Sequence, residues 1–166
     1  NFVNKTPSFE SDYEIVDETD DFIVILKKHG LAVQVTDKEV DDLESILNSR
    51  YKEKVHVLNR IDQPVTGLVI FGKNKNFASN FTEMLKERSV KKTYLALVSG
   101  NPEKEPTELK HYIKKLHNRA MTADEKVDEY FKEAALEHTL LQSFDKYHLL
   151  RIDPPTGRFH PIRAQL

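Results

Sequence analysis

Apolar residues recur in short runs along most of the chain, and polar segments with turn residues separate these runs. Several of the runs are rich in β-branched residues, which favours strands. We predict strands at residues 15–16, 22–26, 31–35, 55–58, 68–71, 94–98 and 147–152. Residues 1–12 show little periodicity and are predicted to form a flexible amino-terminal arm. A folded domain is therefore expected from residue 13 onwards.

Two segments have the apolar spacing of amphipathic helices. Between residues 38 and 51 apolar positions recur every three or four residues, and Asp37 is a candidate N-cap. A second apolar stripe runs from residue 77 to residue 88, where Asn74 or Asn76 can cap the helix. The region 121–141 is ambiguous, because its first half is charged and permits a helix whereas residues 135–142 can alternate as a strand.

Composition excludes several classes of protein. A chain of 166 residues with 39% hydrophobic residues suits one domain with a sizeable core. The absence of cysteine excludes disulfides and cysteine-based zinc sites, and the seven histidines show no metal-ligand spacing, so we expect no metal. No apolar stretch approaches the roughly 20 residues that cross a bilayer, and no signal peptide is evident. We therefore expect a cytoplasmic protein that does not enter a membrane.

The distribution of charge is more informative than the net charge of −2. Residues 1–50 contain five Lys and Arg against twelve Asp and Glu, whereas the remaining residues contain 20 against 15. The basic residues gather near positions 86–92, 110–119 and 151–163. If these clusters face one cleft they form the phosphate-binding surface that RNA requires, although each cluster alone can equally be a solvated face.

The segment 59–68 carries the strongest chemical signal. It reads Asn-Arg-Ile-Asp-Gln-Pro-Val-Thr-Gly-Leu and places Asp62 in a turn-rich stretch before a predicted strand, where one carboxylate can be presented at a cleft. A lone Asp beside an Arg is, by itself, more often a turn residue or a surface ion pair. The segment resembles the catalytic motif of the RluA-like pseudouridine synthases, His-Arg-Leu-Asp-x-x-Thr-Ser-Gly-Leu.

Two further motifs of this family follow in the same order. Residues 92–100 resemble Lys-x-Tyr-x-Ala-Leu-Val-x-Gly, and residues 156–166 resemble Thr-Gly-Arg-x-His-Gln-Ile-Arg-x-x-Leu. The resemblance covers residues 13–166, including the Lys-x-x-Gly turn that begins at Lys27. The chain departs from the family by Asn59 in place of His, Gln63 and Pro64 in place of polar residues, and Pro161 in place of Gln.

The resemblance implies an α+β fold built on a mixed, mostly antiparallel sheet flanked by helices, with a strand near residues 135–142. It also implies that residues 13–166 form a pseudouridine synthase catalytic domain that is incomplete at its carboxy-terminal end, because the family fold continues beyond the third motif. The implied activity is isomerisation of a flipped uridine in a structured ribosomal or transfer RNA, with no cofactor. We expect a monomer.

The resemblance also assigns roles to residues. Asp62 is the catalytic carboxylate, either a nucleophile toward C1′ of the ribose or a base at C2′; Tyr94 stacks on the uracil, and Arg163 pairs with Asp62. Arg60 holds the phosphate of the flipped nucleotide or fills its space. Ile162 and Leu166 form apolar walls of the base pocket. The basic clusters predict further RNA contacts at Lys91, Lys92, Lys114, Lys115 and Arg158.

Two other functions stay open at this point. One is an RNA-binding module on the same fold that has lost catalysis, which activity on a uridine-containing RNA would distinguish. The other is an α+β interaction domain that does not bind RNA, for which Asp62, Tyr94 and Arg163 need not surround one cavity. The sequence does not indicate which RNA or which uridine is modified.

Overall fold

The computed structural model describes residues 12–35, 41–116, 119–154 and 162, with only the backbone of residues 115, 116, 119 and 120. The chain divides into two compact units, Asn1–Met84 and Leu85–Leu166. The first unit contains β1 (Tyr13–Glu18), β2 (Phe22–Lys27), α1 (Leu43–Arg50), β3 (His56–Val57), β4 (Gly67–Gly72) and most of α2 (Lys75–Lys86). The second contains β5 (Tyr94–Val98), β6 (Thr107–Leu116), β7 (Arg119–Ala123), β8 (Lys132–Ser143) and β9 (His148–Asp153).

The first unit is built on a four-stranded antiparallel sheet in the order β1-β2-β4-β3. Alternate residues of the two central strands face the core, where Ile23, Ile25, Val69 and Phe71 are fully buried. Helix α1 contributes two buried leucines to the same cluster. The loop between β3 and β4, which contains residues 58–66, is therefore anchored at both ends in a packed sheet.

Helix α1 begins at Leu43 and not near residue 38, because residues 41 and 42 are not helical. Its N-cap is Asp42, whose carboxylate accepts a hydrogen bond of 2.7 Å from the Ser45 amide, whereas the predicted cap Asp37 lies outside the described residues. The strand predicted at residues 31–35 is wrong. The carbonyls of Ala32 and Val33 accept hydrogen bonds from the first two helical amides and so cap the helix instead of pairing with a strand.

The second predicted helix and one of its two candidate caps are confirmed. The Asn74 side chain accepts a hydrogen bond of 2.8 Å from the Phe77 amide at the start of α2. The apolar stripe of the helix packs as its spacing predicts, since Phe81 is buried and the ring of Phe77 stacks on Phe22 with 5.1 Å between centroids.

The second unit is a five-stranded antiparallel sheet in the order β5-β9-β8-β6-β7. Its core cluster contains the fully or almost fully buried Leu136, Leu150 and Ile152. Strand β8 confirms the strand alternative for residues 135–142, whereas the helix alternative for the first half of 121–141 is wrong, because β7 and a turn occupy it. The α+β class and the antiparallel pairing are confirmed. In the described part of the chain, no helix is long and apolar enough to cross a membrane.

Candidate active site

Asp62 lies on the loop between β3 and β4 with its side chain exposed. The preceding residue, Ile61, packs against the core cluster of the first unit. The carbonyl of Asp62 accepts a hydrogen bond of 2.9 Å from the Val65 amide, which closes a turn directly after the carboxylate. The backbone at Asp62 is therefore held by packing on one side and by a turn on the other, while the carboxylate is accessible.

Asn59 holds the base of this loop against β4. Its side-chain oxygen accepts a hydrogen bond of 2.7 Å from the Ile70 amide, and its side-chain nitrogen donates to the Leu68 carbonyl at 3.1 Å. The Leu58 amide also donates to the Ile70 carbonyl at 3.0 Å. The side chain of Asn59 thus adds one more pair of hydrogen bonds to the short β3–β4 ladder, in place of the backbone of a strand.

Gln63 holds the far end of the loop against the turn after β2. The Gly30 amide donates to the Gln63 carbonyl at 2.9 Å, and the Gln63 side chain donates back to the Gly30 carbonyl at 2.8 Å. Gly30 has a φ of 93°, in the left-handed region that glycine adopts without steric cost. This pair of hydrogen bonds fixes the residue that directly follows Asp62.

Lys27 is a site residue that the sequence reasoning missed. It is fully buried, and its ammonium donates to the carbonyls of Lys28 at 2.9 Å and Gln63 at 3.1 Å. Burial lowers the pKa of Lys27, and the charge of Asp62 opposes that shift. A signal was present in the sequence, because Ile23, Ile25 and Lys27 alternate along β2 and so face the same side of the sheet.

Tyr94 belongs to the second unit, where it is half-buried at the start of β5 opposite Ile152. It packs against the core cluster of that unit, and the predicted pocket residue Ile162 packs against the same cluster. Just before Tyr94, the Thr93 hydroxyl donates to the Asp153 carboxylate at 2.6 Å. This bond, with a further one from Arg151, holds the pKa of Asp153 below its usual value.

Lys114, a predicted RNA contact, is already engaged within the second unit. Its ammonium lies 2.7 Å from a carboxylate oxygen of Asp128 and 4.9 Å from the ring centroid of Tyr130. The hydrogen bond from Lys114 is the main reason why the pKa of Asp128 is lowered. The contacts fasten the turn before β8 to β6, so this lysine has a structural role whether or not it also meets RNA.

The other predicted residues divide between the two units and the part of the chain outside the description. Arg60, like Asp62, is exposed on the loop of the first unit, whereas Lys91 is exposed and Lys92 half-buried in the second. Outside the described residues lie Arg158, Arg163, Leu166 and the side chain of Lys115. Within the described ranges no group of three or more His, Asp and Glu residues could hold a metal ion.

Residues 21–166 match the family described as RNA pseudouridylate synthase. The chain belongs to this family. The RluA-like resemblance of its three motifs is confirmed, because several relatives carry names of that type. A ribosomal large subunit pseudouridine synthase C of Rickettsia bellii is 32% identical over an alignment of 153 residues that covers 90% of the chain and 50% of that protein.

Other members of the pseudouridylate synthase family are similarly distant. An uncharacterized RNA pseudouridine synthase of Haemophilus influenzae is 28% identical over 92% of the chain and 67% of its own length. A tRNA pseudouridine synthase C of Vibrio parahaemolyticus is 29% identical over 92% and 68%. The solved structure of human RNA Pseudouridylate Synthase Domain Containing 1 has the same fold, with a TM-score of 0.75 and 22% identity over 92% and 63%. The chain spans between half and about two thirds of these proteins.

Proposed function

We propose that the protein isomerises uridine to pseudouridine in a structured RNA, with Asp62 as the catalytic carboxylate. One observation carries this proposal. In a chain that belongs to the family, Asp62 presents an accessible carboxylate on a loop whose backbone is hydrogen-bonded on both sides. The relatives are named for ribosomal and transfer RNA, so one of these two classes is the proposed substrate.

The reaction breaks the bond between C1′ of the ribose and N1 of the uracil and forms a bond between C1′ and C5. Asp62 acts at the sugar, either by attacking C1′ or by removing a proton from C2′. After the base has turned and the new bond has formed, the hydrogen originally on C5 is lost to solvent and N1 is protonated. The oxidation state of the nucleotide does not change.

Five other residues complete the proposed site. Tyr94 stacks on the detached uracil, so that the base cannot diffuse away before it rejoins the sugar. Arg163 pairs with Asp62 and keeps it ionised. Arg60, exposed two residues before Asp62, contacts the phosphate of the flipped nucleotide or fills the space it leaves. Ile162 and Leu166 are the proposed apolar walls of the pocket.

The proposed RNA contacts are basic residues of the clusters in the sequence. Lys91 is exposed to solvent, where a phosphate can approach it, whereas the Lys114 ammonium already forms an ion pair with Asp128. Lys92, Lys115 and Arg158 complete the proposed set. The monomeric state and the cytoplasmic location stay predictions.

The test is tritium release from C5-labelled uridine in ribosomal and transfer RNA, with the Asp62→Asn variant as the central comparison. Asn keeps the size of the side chain but can neither attack C1′ nor accept the C2′ proton. Turnover should fall by several orders of magnitude, on the order of the loss seen when a central catalytic group is removed. RNA affinity should change by no more than a few-fold, because the cationic residues are untouched.

Asp20→Asn is the matched control, since Asp20 is an exposed carboxylate between β1 and β2 of the same unit. It should release tritium at the rate of the parent protein. Near-normal release by Asp62→Asn would refute the catalytic assignment. Binding of RNA without release by the parent protein on any uridine-containing RNA would favour the inactive RNA-binding module.

A further inference from the structure

Asp153 ends β9, one row beyond the pair that contains Tyr94. β5 pairs with β9 along its whole length, and the pair of Tyr94 with Ile152 ends that ladder on this side. On its other side, Asp153 pairs with Glu137 of β8. Asp153 is thus held in the sheet by β8, whereas Thr93 lies just before the start of β5. Because the ends of a ladder fray most readily, the position of Tyr94 depends on what holds the chain before it.

Side chains continue the pairing of β5 with β9 by one more row. The Thr93 hydroxyl donates to one carboxylate oxygen of Asp153 at 2.6 Å, and Nε of Arg151 lies 2.8 Å from the other oxygen. The bond from Thr93 is the main reason why the pKa of Asp153 is lowered, so the carboxylate is ionised at neutral pH and the bond is charge-assisted. Two donors therefore fix the Asp153 carboxylate, which in turn ties Thr93 to β9.

The sheet alone does not favour a carboxylate at position 153. Glu137, its partner on β8, carries the same charge, and like charges opposite one another in a ladder are unfavourable. The side chains of Arg151 and Asp153 are 52% and 39% exposed, so their ion pair contributes little to the stability of the fold. The contacts of Asp153 therefore fit a local positioning role better than a stabilising one.

We propose that Thr93 and Asp153 are positioning residues for Tyr94, and that the bond between hydroxyl and carboxylate keeps the start of β5 on β9. Successive side chains of a strand point to opposite faces, so this bond lies on one face while the Tyr94 ring packs against the core cluster on the other. The bond can therefore fix the backbone of Tyr94 without occupying the space beside its ring. The inference rests on the proposed function, in which Tyr94 stacks on the detached uracil.

Thr93→Val and Thr93→Ser separate the hydroxyl from the rest of the side chain. Val has the shape of Thr but cannot donate to Asp153, whereas Ser keeps the donor and loses only the methyl group. Tritium release from C5-labelled RNA gives kcat and KM, and a titration gives RNA affinity. Thr122→Val, the same change at an exposed position of β7, is the control.

The loss should appear in kcat, because a displacement of about 1 Å near the reacting atoms can lower turnover by about a hundred-fold. Thr93→Val should lower kcat about ten-fold, with KM and RNA affinity within about three-fold of the parent. Thr93→Ser should retain kcat to within about three-fold, and Thr122→Val should match the parent. Parent-like kcat in Thr93→Val, or an equal loss in the Val and Ser variants, would overturn the role of the hydroxyl.

Fluorine NMR reports on Tyr94 without relying on turnover. The chain has six tyrosines, and in protein labelled with 3-fluorotyrosine the Tyr94 resonance is the one that Tyr94→Phe removes. In Thr93→Val this resonance should broaden or move toward the shift of solvent-exposed fluorotyrosine, while the other resonances stay in place and show that the protein is folded. Thr93→Ser should keep the parent spectrum.

Asp153→Ala removes the acceptor instead of the donor, so it keeps the experiment decisive if Thr93→Val does not fold. It should move the same Tyr94 resonance, and an unmoved resonance in a folded Asp153→Ala protein would refute the inference. Near-normal tritium release by Asp62→Asn would refute the proposed function, while the fluorine spectra would still decide whether Thr93 and Asp153 hold Tyr94. An inactive Asp62→Asn protein beside unmoved Tyr94 resonances would refute only the positioning inference.

Discussion

Replacement of Asn59 by Ala should loosen the loop that carries Asp62 and lower the stability of the first unit. The change removes two hydrogen bonds, from the Ile70 amide at 2.7 Å and to the Leu68 carbonyl at 3.1 Å. A neutral hydrogen bond contributes roughly 1 kcal/mol net, and an unsatisfied buried amide costs about as much again. Because Ile70 is only half-buried, water can partly replace the lost acceptor, and we expect a total loss of about 2 kcal/mol.

The Asn59→Asp variant separates the two bonds. An Asp side chain keeps an oxygen for the Ile70 amide but presents a second oxygen, which cannot donate, to the Leu68 carbonyl. It should lose about 1 kcal/mol, roughly half of the effect of Ala. Asn101→Ala, at an exposed loop position of the second unit, is the control and should stay within about 0.5 kcal/mol of the parent.

Urea unfolding gives the stability of each Asn59 variant, and amide hydrogen exchange locates the effect. In Asn59→Ala the Ile70 amide should exchange faster, because its acceptor is gone, while the amides of the second-unit strands exchange as in the parent. Turnover should fall with RNA affinity retained, since the loop still carries Asp62 but holds it less firmly. A stability loss below about 0.5 kcal/mol together with unchanged exchange at Ile70 would refute this account of the loop.

Other perturbations test other parts of the molecule. Tyr51→Phe should destabilise the protein by about 1 kcal/mol at neutral pH. Burial and then the bond to Glu18 raise the pKa of Tyr51 from 10.0 to about 12, so the stabilisation by this hydroxyl is present below pH 10. The urea midpoints of parent and variant should therefore converge as the pH rises to about 12. Replacing Lys91 and Lys92 together by Ala should flatten the salt dependence of RNA affinity by up to about two units of slope, whereas an unchanged slope would place the RNA elsewhere. Lys114→Ala should lower the urea midpoint but change the salt dependence of RNA affinity little, because the Lys114 ammonium is engaged within the unit. A chelator should leave tritium release unchanged on RNA that stays folded; a loss that added metal restores would contradict the expectation of no metal.

The sequence was sufficient where a signal is local. The start of α2 is an example. The Asn74 side chain accepts a hydrogen bond from an amide only three residues further along the chain, and the apolar stripe around Phe81 repeats at helical spacing. The segment 31–35 has equally apolar residues but is not a strand, since its carbonyls cap α1 through hydrogen bonds to amides eleven residues further along the chain. Such a contact depends on how the chain folds back and is not encoded in the local pattern.

Charged strands were the second source of error. β6 contains Lys110 and Lys114 on either side of the buried Ile113, so its sequence is too polar to be recognised as a strand by apolar content. Its neighbours β7 and β8 supply the ladder that defines it. Cross-strand pairing, not the intrinsic preference of the residues, decides the conformation of this segment.

Two of the positions at which the loop departs from the family motif are positions at which a side chain holds the loop in place. Asn59 bonds β4 and Gln63 bonds Gly30, whereas Arg60 and Asp62, to which the motif assigns chemistry, are retained and exposed. A side chain that holds a backbone can be replaced by another that offers a donor and an acceptor at the same place, because only the backbone position matters to the reaction. A reacting carboxylate has no such substitute. Matching to the motif is therefore informative at Asp62, while the residues that position it are identified by their contacts.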